Sequence, residues 1–460
     1  MVNVSEATKV AWANEITQKK IQIHIGSTIL YDTDILANSF SVTESIMSSD
    51  SLEFVGCIAK KCEFDSNILN NSNLRNREIT VYLQAANTEL IPVFTGYIDE
   101  SKKSGMNGYK HIVAYDIFYK LSQIDASDWW NSLGVTTLVG SFQNFISEFN
   151  IRYNLSAISF VNSLMTCYGG SKRQAKKLTA LDYLMQICQI NGCIGYTDGL
   201  GRFGIKYIDA IAQQKLYPAD SLFPSDFIYP SDYDGGSASE YTQIPYYKDL
   251  SYEDYSIKQI NKVTIRNSSE DVGICYPYAG DNNYIIQGNI FAYDQSGTDL
   301  INAAQHIYQV VKNANFRPFD TKLFAMPWIE CGDKVACYDI DDLGAQITVN
   351  FIVMSRHLND DGMLWDTFSA EGEQDQRIFI TDLQAQIEDL QKQIEDMSGD
   401  TPDGALSGII LTEQVSMIEA NTLGGIEEAY HDIVDEEQVS TMVNTTMSAL
   451  DNGVSGIVEV

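Results

Sequence analysis

The sequence predicts a mainly β protein in which two small β-barrel domains flank an α+β domain and a short C-terminal coiled coil follows. Three observations predict this fold class. Segments with alternating apolar and polar residues fill both ends of the first 375 residues, helical spacings lie mostly between them, and aromatic residues are abundant (26 Tyr, 19 Phe) while proline is scarce (9 Pro). Alternation with period two is typical of half-buried strands, and aromatic residues favour pleated surfaces.

The first domain, residues 1–124, is predicted from a run of short strands. Ile21, Ile23 and Ile25 alternate with polar neighbours, and the segments EITVYL (78–83) and YKHIVAYD (109–116) have related patterns. Clusters of Asn, Gly and Ser separate them, as turns between strands require. We therefore expect a small antiparallel β-barrel here.

The middle domain, residues 125–249, has helical spacing instead. One helix is predicted over residues 137–149. A second begins at Thr179, where Asp182 three residues later forms a variant capping box, and it ends at Gly192. The segment that follows predicts a β-hairpin that turns at Asp198–Gly201, which makes this domain α+β.

Residues 250–375 return to strands and form the predicted second barrel. The strand segments include NKVTIRN, KVACYDI and LWDTFSA, and one helix interrupts them between Thr298 and Asn313. Two strand-rich domains in one chain can be structural copies, although no sequence repeat is visible.

Residues 376–398 carry a heptad pattern, which predicts a short coiled coil. Apolar residues alternate at spacings of three and four, which is typical of a narrow self-associating stripe. The alternative is one amphipathic helix packed on its own domain. The predicted oligomerisation seam consists of Ile380, Leu383, Ile387, Leu390, Ile394 and Met397.

The charge of the chain limits its partners. The formal net charge is −32, and no Lys or Arg follows Lys392, so residues 399–460 are predicted to be an acidic attachment segment. An acidic surface repels phosphate, which argues against specific nucleic-acid binding but suits a wall past which DNA slides. The sequence shows neither a signal peptide nor a membrane span, so we expect folding in the cytosol.

Catalytic and metal-binding patterns are not found in the sequence. Five His residues are scattered, and no nucleophile elbow or phosphate-binding loop is present. Three Cys pairs are close in sequence, and their strand-like surroundings favour buried thiols over a zinc site. We therefore predict no catalytic residue, no metal and no cofactor. The three pairs are Cys57/Cys62, Cys188/Cys193 and Cys331/Cys337.

One basic run interrupts this acidic chain. It comprises Lys172, Arg173, Lys176 and Lys177, ahead of the second predicted helix. The run is either a solvated loop or an electrostatic dock for an acidic neighbour, such as another copy of this chain.

The order of these segments resembles the baseplate hub, or tail-tip, proteins of long-tailed bacteriophages. ILANSFSVTESIMSSDSLEFVGCIAKKCEFD (35–65) and the strands at 77–116 resemble that family's first barrel, and Thr179–Gly192 with its hairpin resembles its middle domain. The segment from Met326 to Glu373, with Gly332-Asp333 at a turn and Glu371-Gly372 at its end, is similar to the final barrel. The resemblance covers roughly residues 20–375.

This resemblance implies a non-enzymatic homotrimer in the virion tail, assembled in the host cytoplasm. Three chains with two similar barrels each would adapt a sixfold tail tube to threefold tip components around the DNA exit channel. The implied partners are the distal tail protein ring, the tape measure protein, and tail fibre or tip proteins. Two alternatives stay open: a receptor-binding protein whose Trp129 and Trp130 stack on host glycans, and a cell-wall hydrolase.

Overall fold

Strands from both ends of the chain meet in the structure, a computed structural model. It describes residues 2–371 except 15, 48–53, 68–73, 104–107, 171–174, 209–240, 254, 267–272, 294, 341–343 and 345. All described residues belong to one compact unit, Met1–Asp389.

The strands are short and number 21 among the described residues. The first eleven are β1 (Lys19–Ile25), β2 (Thr28–Tyr31), β3 (Ser41–Ser45), β4 (Lys61–Ser66), β5 (Glu78–Ala85), β6 (Ile91–Lys103), β7 (Lys110–Tyr115), β8 (Thr136–Thr137), β9 (Thr166–Cys167), β10 (Ile194–Thr197) and β11 (Phe203–Lys206). The others are β12 (Thr242–Ile244), β13 (Tyr247–Tyr252), β14 (Lys262–Ile265), β15 (Ile274–Tyr276), β16 (Asn283–Ile286), β17 (Phe319–Phe324), β18 (Lys334–Ile340), β19 (Gln346–Ile352), β20 (Ser355–Asp360) and β21 (Leu364–Ala370).

Eleven of these strands form a single antiparallel sheet. Their order is β13-β17-β21-β20-β3-β4-β7-β6-β5-β1-β2, so the early and late strands join where β3 pairs with β20. The prediction of two small barrels is therefore wrong for the described strands, none of whose sheets closes on itself. The physical reason is that β3 pairs with β4 on one side and with β20 on the other, which extends the sheet instead of closing it.

Alternation in the sequence explains these strands. In β1, Ile21, Ile23 and Ile25 are buried while the residues between them are partly exposed, and β5 and β21 follow the same rule. Each strand thus places one apolar face on the core. The prediction of a mainly β protein is confirmed.

An N-terminal helix, α1 (Glu6–Ala13), bridges the two groups of strands. On one side, Thr8 Oγ1 donates to Glu89 Oε1 (2.9 Å), just after β5. On the other, Val2 N donates to Trp328 O (2.8 Å) between β17 and β18. The N-terminal segment thus contacts both the early and the late group of strands.

The remaining helices lie mainly in the middle of the chain. Those that follow Thr137, Thr179 and Ser296 were predicted, whereas two short helices within residues 117–132 were not. The predicted capping box is present: Asp182 N donates to Thr179 Oγ1 (3.1 Å), and Thr179 N donates to Asp182 Oδ2 (2.9 Å). The predicted hairpin is β10–β11. The helices are α2 (Ile117–Leu121), α3 (Ser127–Ser132), α4 (Leu138–Glu148), α5 (Ala180–Gln189) and α6 (Gly297–Val311).

Candidate functional site: a buried ion-pair network

The connection between β17 and β18, residues 325–333, is held by charged side chains from three separate parts of the chain. We call these groups the buried ion-pair network. Its members are Glu44, Lys60, Lys206, Glu330, Asp333, Arg356 and Asp366.

Glu44 and Lys60 connect the early strands to this segment. The carboxylate of Glu44, on β3, lies 2.8 Å from Lys60 Nζ, and each side chain is only 5% exposed. Glu44 Oε1 also accepts a hydrogen bond from Cys331 N (2.7 Å). One buried carboxylate therefore ties β3 both to the residue that precedes β4 and to the late connection.

Arg356 on β20 and Asp366 on β21 make the second part of the network. Arg356 Nε and Nη2 donate to the two carboxylate oxygens of Asp366 at 2.8 and 3.0 Å, and Nη1 donates to Ile329 O (2.7 Å). Asp366 Oδ2 also accepts from Met326 N (2.7 Å). Such two-pronged pairs fix geometry as well as charge.

Lys206, at the end of the β10–β11 hairpin, adds the middle of the chain to the network. Its Nζ donates to Cys331 O (2.7 Å) and lies 3.1 Å from Asp333 Oδ1 and 3.6 Å from Glu330 Oε2. Three stretches that are distant in sequence therefore converge on one connection.

The charges in this network stabilise one another against burial. Burial alone would raise the pKa of Glu44, but Lys60 and Arg356 outweigh it and lower that pKa to about 2. Burial likewise opposes the charge on Lys206, yet Asp333 and Glu330 raise its pKa. The oppositely charged neighbours of Glu44 and Lys206 thus favour the charged forms of these two side chains, which suits a structural junction.

A second junction joins the segment before β4 to the hairpin through backbone and thiols. Cys57 N donates to Gly195 O (2.7 Å), and Gly195 N donates to Val55 O (3.0 Å). A methyl group built on Gly195 would overlap Cys57 Sγ and lie 3.0 Å from Cys188 Sγ. The structure thus brings Cys57 close to Cys188, which is far from it in sequence.

All eight cysteines are free thiols, and seven of them are buried. Among the residues that the structure describes, no group of three or more His, Cys, Asp and Glu side chains is arranged to hold a metal ion. Of the helices described, none has the length and apolar composition that crossing a membrane requires.

The structure reaches only part of the predicted site residues. The seam (Ile380, Leu383, Ile387, Leu390, Ile394 and Met397) lies outside the described residues, as do Lys172 and Arg173 of the basic run. Lys176 and Lys177 are described and exposed, ahead of α5. The coiled coil and the electrostatic dock therefore stay predictions, as do the domain boundaries.

Trp130 is a core residue, and Trp129 is partly buried and packs against the core. Trp130 is 3% exposed, and the Trp129 ring makes edge contacts with Phe145 (5.2 Å) and Tyr183 (5.0 Å). Trp129 Nε1 donates to Asn144 Oδ1 (2.8 Å). The buried ring of Trp130 is therefore not presented to a glycan, and the ring of Trp129 packs mainly on other aromatic rings.

The buried ion-pair network was not predicted, although the alternation of apolar and polar residues in the strands contained a signal for it. In β3 Glu44 shares the buried face with Val42, and in β21 Asp366 shares it with Leu364 and Phe368. A charged residue at a strand position that faces the apolar core needs an oppositely charged partner, because burying an unpaired charge costs too much free energy.

No family model and no curated protein matches the sequence. The solved structures to which this chain is similar include a 43 kDa tail protein of prophage MuSo2 from Shewanella oneidensis (TM-score 0.45, 13% identity, 77% of this chain and 98% of that one). They also include a tail protein from Neisseria meningitidis MC58 (TM-score 0.46, 11% identity, 77% and 96%). A third is an E. coli component of the type VI secretion system with structural similarity to T4 bacteriophage tail proteins (TM-score 0.38, 11% identity, 77% of both chains). Two of these three structures are of phage or bacterial tail proteins, and the third is described as similar to phage tail proteins.

Proposed function

We propose that this chain is a structural baseplate hub subunit of a phage tail. It forms a homotrimeric ring that adapts the sixfold tail tube to threefold tip components and surrounds the DNA exit channel. Its partners are the distal tail ring, the tape measure protein, and tail fibre or tip proteins.

The observation that carries this proposal is the junction of early and late strands. The β3–β20 pairing and the buried ion-pair network join both strand groups into one frame. The buried charges within it are paired, and they hold backbone groups instead of facing a cleft. A frame of this kind transmits load between neighbours, which is what a hub must do.

The ring itself is supported by the sheet and by the heptad pattern. An open sheet leaves two strand edges, β2 and β13, which neighbouring chains can cover. A head-to-tail contact between unlike surfaces closes into a ring when its rotation is suitable. The predicted seam would then hold the three chains on their common axis.

The acidic net charge of the chain supports the proposed DNA exit channel. A net charge of −32 makes a wall that repels the DNA backbone, so DNA passes without being bound. We propose no catalytic role for the chain. Zymography on host cell walls tests the hydrolase alternative, and a cleared zone would overturn a purely structural role.

The oligomeric state tests the ring. Light scattering on the purified full chain should give three times the subunit mass of 51.4 kDa. Replacing Ile387 and Leu390 with Asp should give monomers, because two charged residues in the seam would be buried. The matched control places Asp at Thr381 and Ala385, which lie off the predicted seam. A trimer that survives the seam change would mean that the strand-rich part of the chain alone holds the ring.

The basic run has its own test. Changing Lys172, Arg173, Lys176 and Lys177 together to Glu should weaken assembly if the run docks on an acidic neighbour. Unchanged assembly would eliminate the docking role and leave a solvated loop.

A further inference from the structure

A cluster of three cysteine thiols lies in the core, where the segment before β4 meets α5 and the β10–β11 hairpin. Cys57, Cys188 and Cys193 are 3%, 0% and 0% exposed. Cys188 is the central member, because its thiol is hydrogen-bonded both to that of Cys57 and to that of Cys193. The hub role proposed above makes no use of this cluster.

The sulfur atoms of Cys57 and Cys188 border the same point in the core. A methyl group built on Gly195 would overlap Cys57 Sγ and lie 3.0 Å from Cys188 Sγ. The thiol of Cys193, in contrast, donates to Cys188 O (3.6 Å) at the end of α5. The pair placed for bond formation is therefore Cys57 and Cys188, which are 131 positions apart in the sequence.

The backbone at Cys57 adopts a strained conformation. Its φ is +57°, in the left-handed region that residues with a Cβ atom rarely adopt. The hydrogen bond from Cys57 N to Gly195 O (2.7 Å) holds it there. Glycine would relieve the strain at this position, and strained residues cluster at functional sites. The strain therefore points to a use for the Cys57 thiol.

Cys188 is the thiol of this pair that favours its reactive form. Burial raises the pKa of Cys188, but hydrogen bonds from Cys193, Cys57 and the Gly195 backbone lower it below its ordinary value. Burial and the hydrogen bond with Cys188 both raise the pKa of Cys57. Because the thiolate is the nucleophile, Cys188 reacts first with an oxidant and Cys57 supplies the second sulfur.

We propose that Cys57 and Cys188 form a reversible disulfide when the protein is exposed to hydrogen peroxide. The Cys188 thiolate attacks one peroxide oxygen, the O–O bond breaks, and hydroxide leaves and is protonated to water, which gives a sulfenic acid. The Cys57 sulfur then attacks the Cys188 sulfur. The S–S bond forms, the S–O bond breaks, and the hydroxyl group leaves with the Cys57 proton as a second water. Two thiols are oxidised, and one peroxide is reduced to two waters.

The disulfide would tie the segment before β4 to α5 by a covalent bond. Thiols stay reduced in the cytosol, so the bond would form after release of the particle from the cell. This timing rests on the proposed function, whereas the cross-link itself does not. A cross-link between residues this far apart stabilises the folded protein, mainly by restricting the unfolded chain.

Peptide mapping of the purified full chain tests the bond. The reduced protein is treated with hydrogen peroxide, quenched with catalase, blocked with N-ethylmaleimide in denaturant, and digested without reductant for mass spectrometry. We expect a linked pair of peptides that contain Cys57 and Cys188, two hydrogens lighter than the two free peptides together. The number of titratable thiols should fall from eight to six, and dithiothreitol should restore all eight.

Variants separate this pair from the other thiols. Cys57→Ala should abolish the linked peptides, whereas Cys62→Ala, which removes another buried thiol, should not. Oxidation should raise the melting temperature of the wild type by roughly 3–6 °C and leave that of Cys57→Ala unchanged. Circular dichroism checks that both variants fold. The peptide map of the wild type decides the question even if Cys57→Ala does not fold.

Three outcomes would overturn the inference. The first is a peroxide dose that oxidises the partly exposed Cys275 while Cys57 and Cys188 both stay free. The second is a bond between Cys188 and Cys193 instead, which would confine the cross-link to the end of α5. The third is sulfinic acid at Cys188 beside a free Cys57. A monomeric chain that still forms the Cys57–Cys188 bond would contradict the ring and support this inference.

Discussion

Arg356 on β20 and Asp366 on β21 are diagonal neighbours across the strand pair, and they form a two-pronged ion pair with nitrogen–oxygen distances of 2.8 and 3.0 Å. Their side chains are 4% and 0% exposed. Each also holds a backbone group of the connection 325–333: Arg356 binds Ile329 O, and Asp366 binds Met326 N. The pair therefore fixes the position of a segment that would otherwise have free polar groups in the core.

Asp366→Asn should destabilise the protein by about 3–5 kcal/mol, because it leaves the Arg356 charge buried without its carboxylate. Chemical denaturation measures the loss. Asp361→Asn is the control: Asp361 is 65% exposed beside Lys322, and its change should have little effect. Replacing the pair together, with Arg356→Met and Asp366→Leu, should recover only part of the loss, because it removes the unpaired charge but leaves Met326 N and Ile329 O without their partners. A mild effect of Asp366→Asn alone would show that the pair is dispensable.

Glu44 should make the protein sensitive to acid. Its pKa is about 2 in the folded state, below the ordinary value of about 4.3, so its stabilisation is present above pH 4.3 and is lost as the pH falls towards 2. The full loss is about 3 kcal/mol. Unfolding free energies measured at decreasing pH should fall more steeply for the wild type than for Glu44→Gln. Parallel curves would contradict this assignment.

Asp116 should affect the pH dependence of stability in the opposite direction to Glu44. Burial outweighs hydrogen bonds from Thr197 and neighbouring groups and raises its pKa to about 6, so the folded state takes up this proton before the unfolded state does. Its contribution to stability therefore rises as the pH falls from 6 towards 4. Asp116→Asn should be more stable than the wild type at pH 7, by up to about 3 kcal/mol, with the gain vanishing near pH 4.

The Asp116 test needs a check on the hydrogen bonds. Asp116 accepts from Phe118 N (3.1 Å) and Thr197 Oγ1 (2.6 Å), and Asn can keep both contacts if the hydroxyl reverses its role. The exposed Asp128→Asn serves as the control. A pH-independent change in Asp116→Asn would mean that these contacts, and not the charge, decide the effect.

Gly195→Ala should destabilise the junction of Cys57 with the β10–β11 hairpin by about 1–3 kcal/mol, because the new methyl group would overlap Cys57 Sγ. Adding Cys57→Ala should recover part of the loss by making room. Gly134→Ala is the control, since nothing lies within 4 Å of its new methyl group. Thermal melting reports all three variants, and equal melting temperatures for Gly195→Ala and the wild type would refute the steric argument.

Local patterns in the sequence were enough to predict many elements and not the way they join. Thr179 and Asp182 fix the start of α5 with two neighbouring groups, so the capping box was visible in four residues. In contrast, Thr43 on β3 lies opposite His357 on β20, and no pattern of neighbouring residues could predict this pairing. The two barrels were expected because each strand group looked complete by itself.

The candidate site was missed for a related reason. Glu44 and Lys60 are near in sequence, but Lys206 and Arg356 reach the same connection from far away, so only the folded chain collects them.

The pairing of β3 with β20 also governs the order of events during synthesis. Ser45 Oγ and Ser355 Oγ, 2.8 Å apart in the finished protein, are separated by 310 positions along the chain. Until the ribosome has synthesised β20, the edge of β3 that pairs with it has unpaired backbone groups. Folds dominated by contacts between residues distant in sequence form slowly, and strand edges that are still unpaired can pair with other chains and aggregate. We therefore expect N-terminal fragments of this chain to need a chaperone, whereas the complete chain does not.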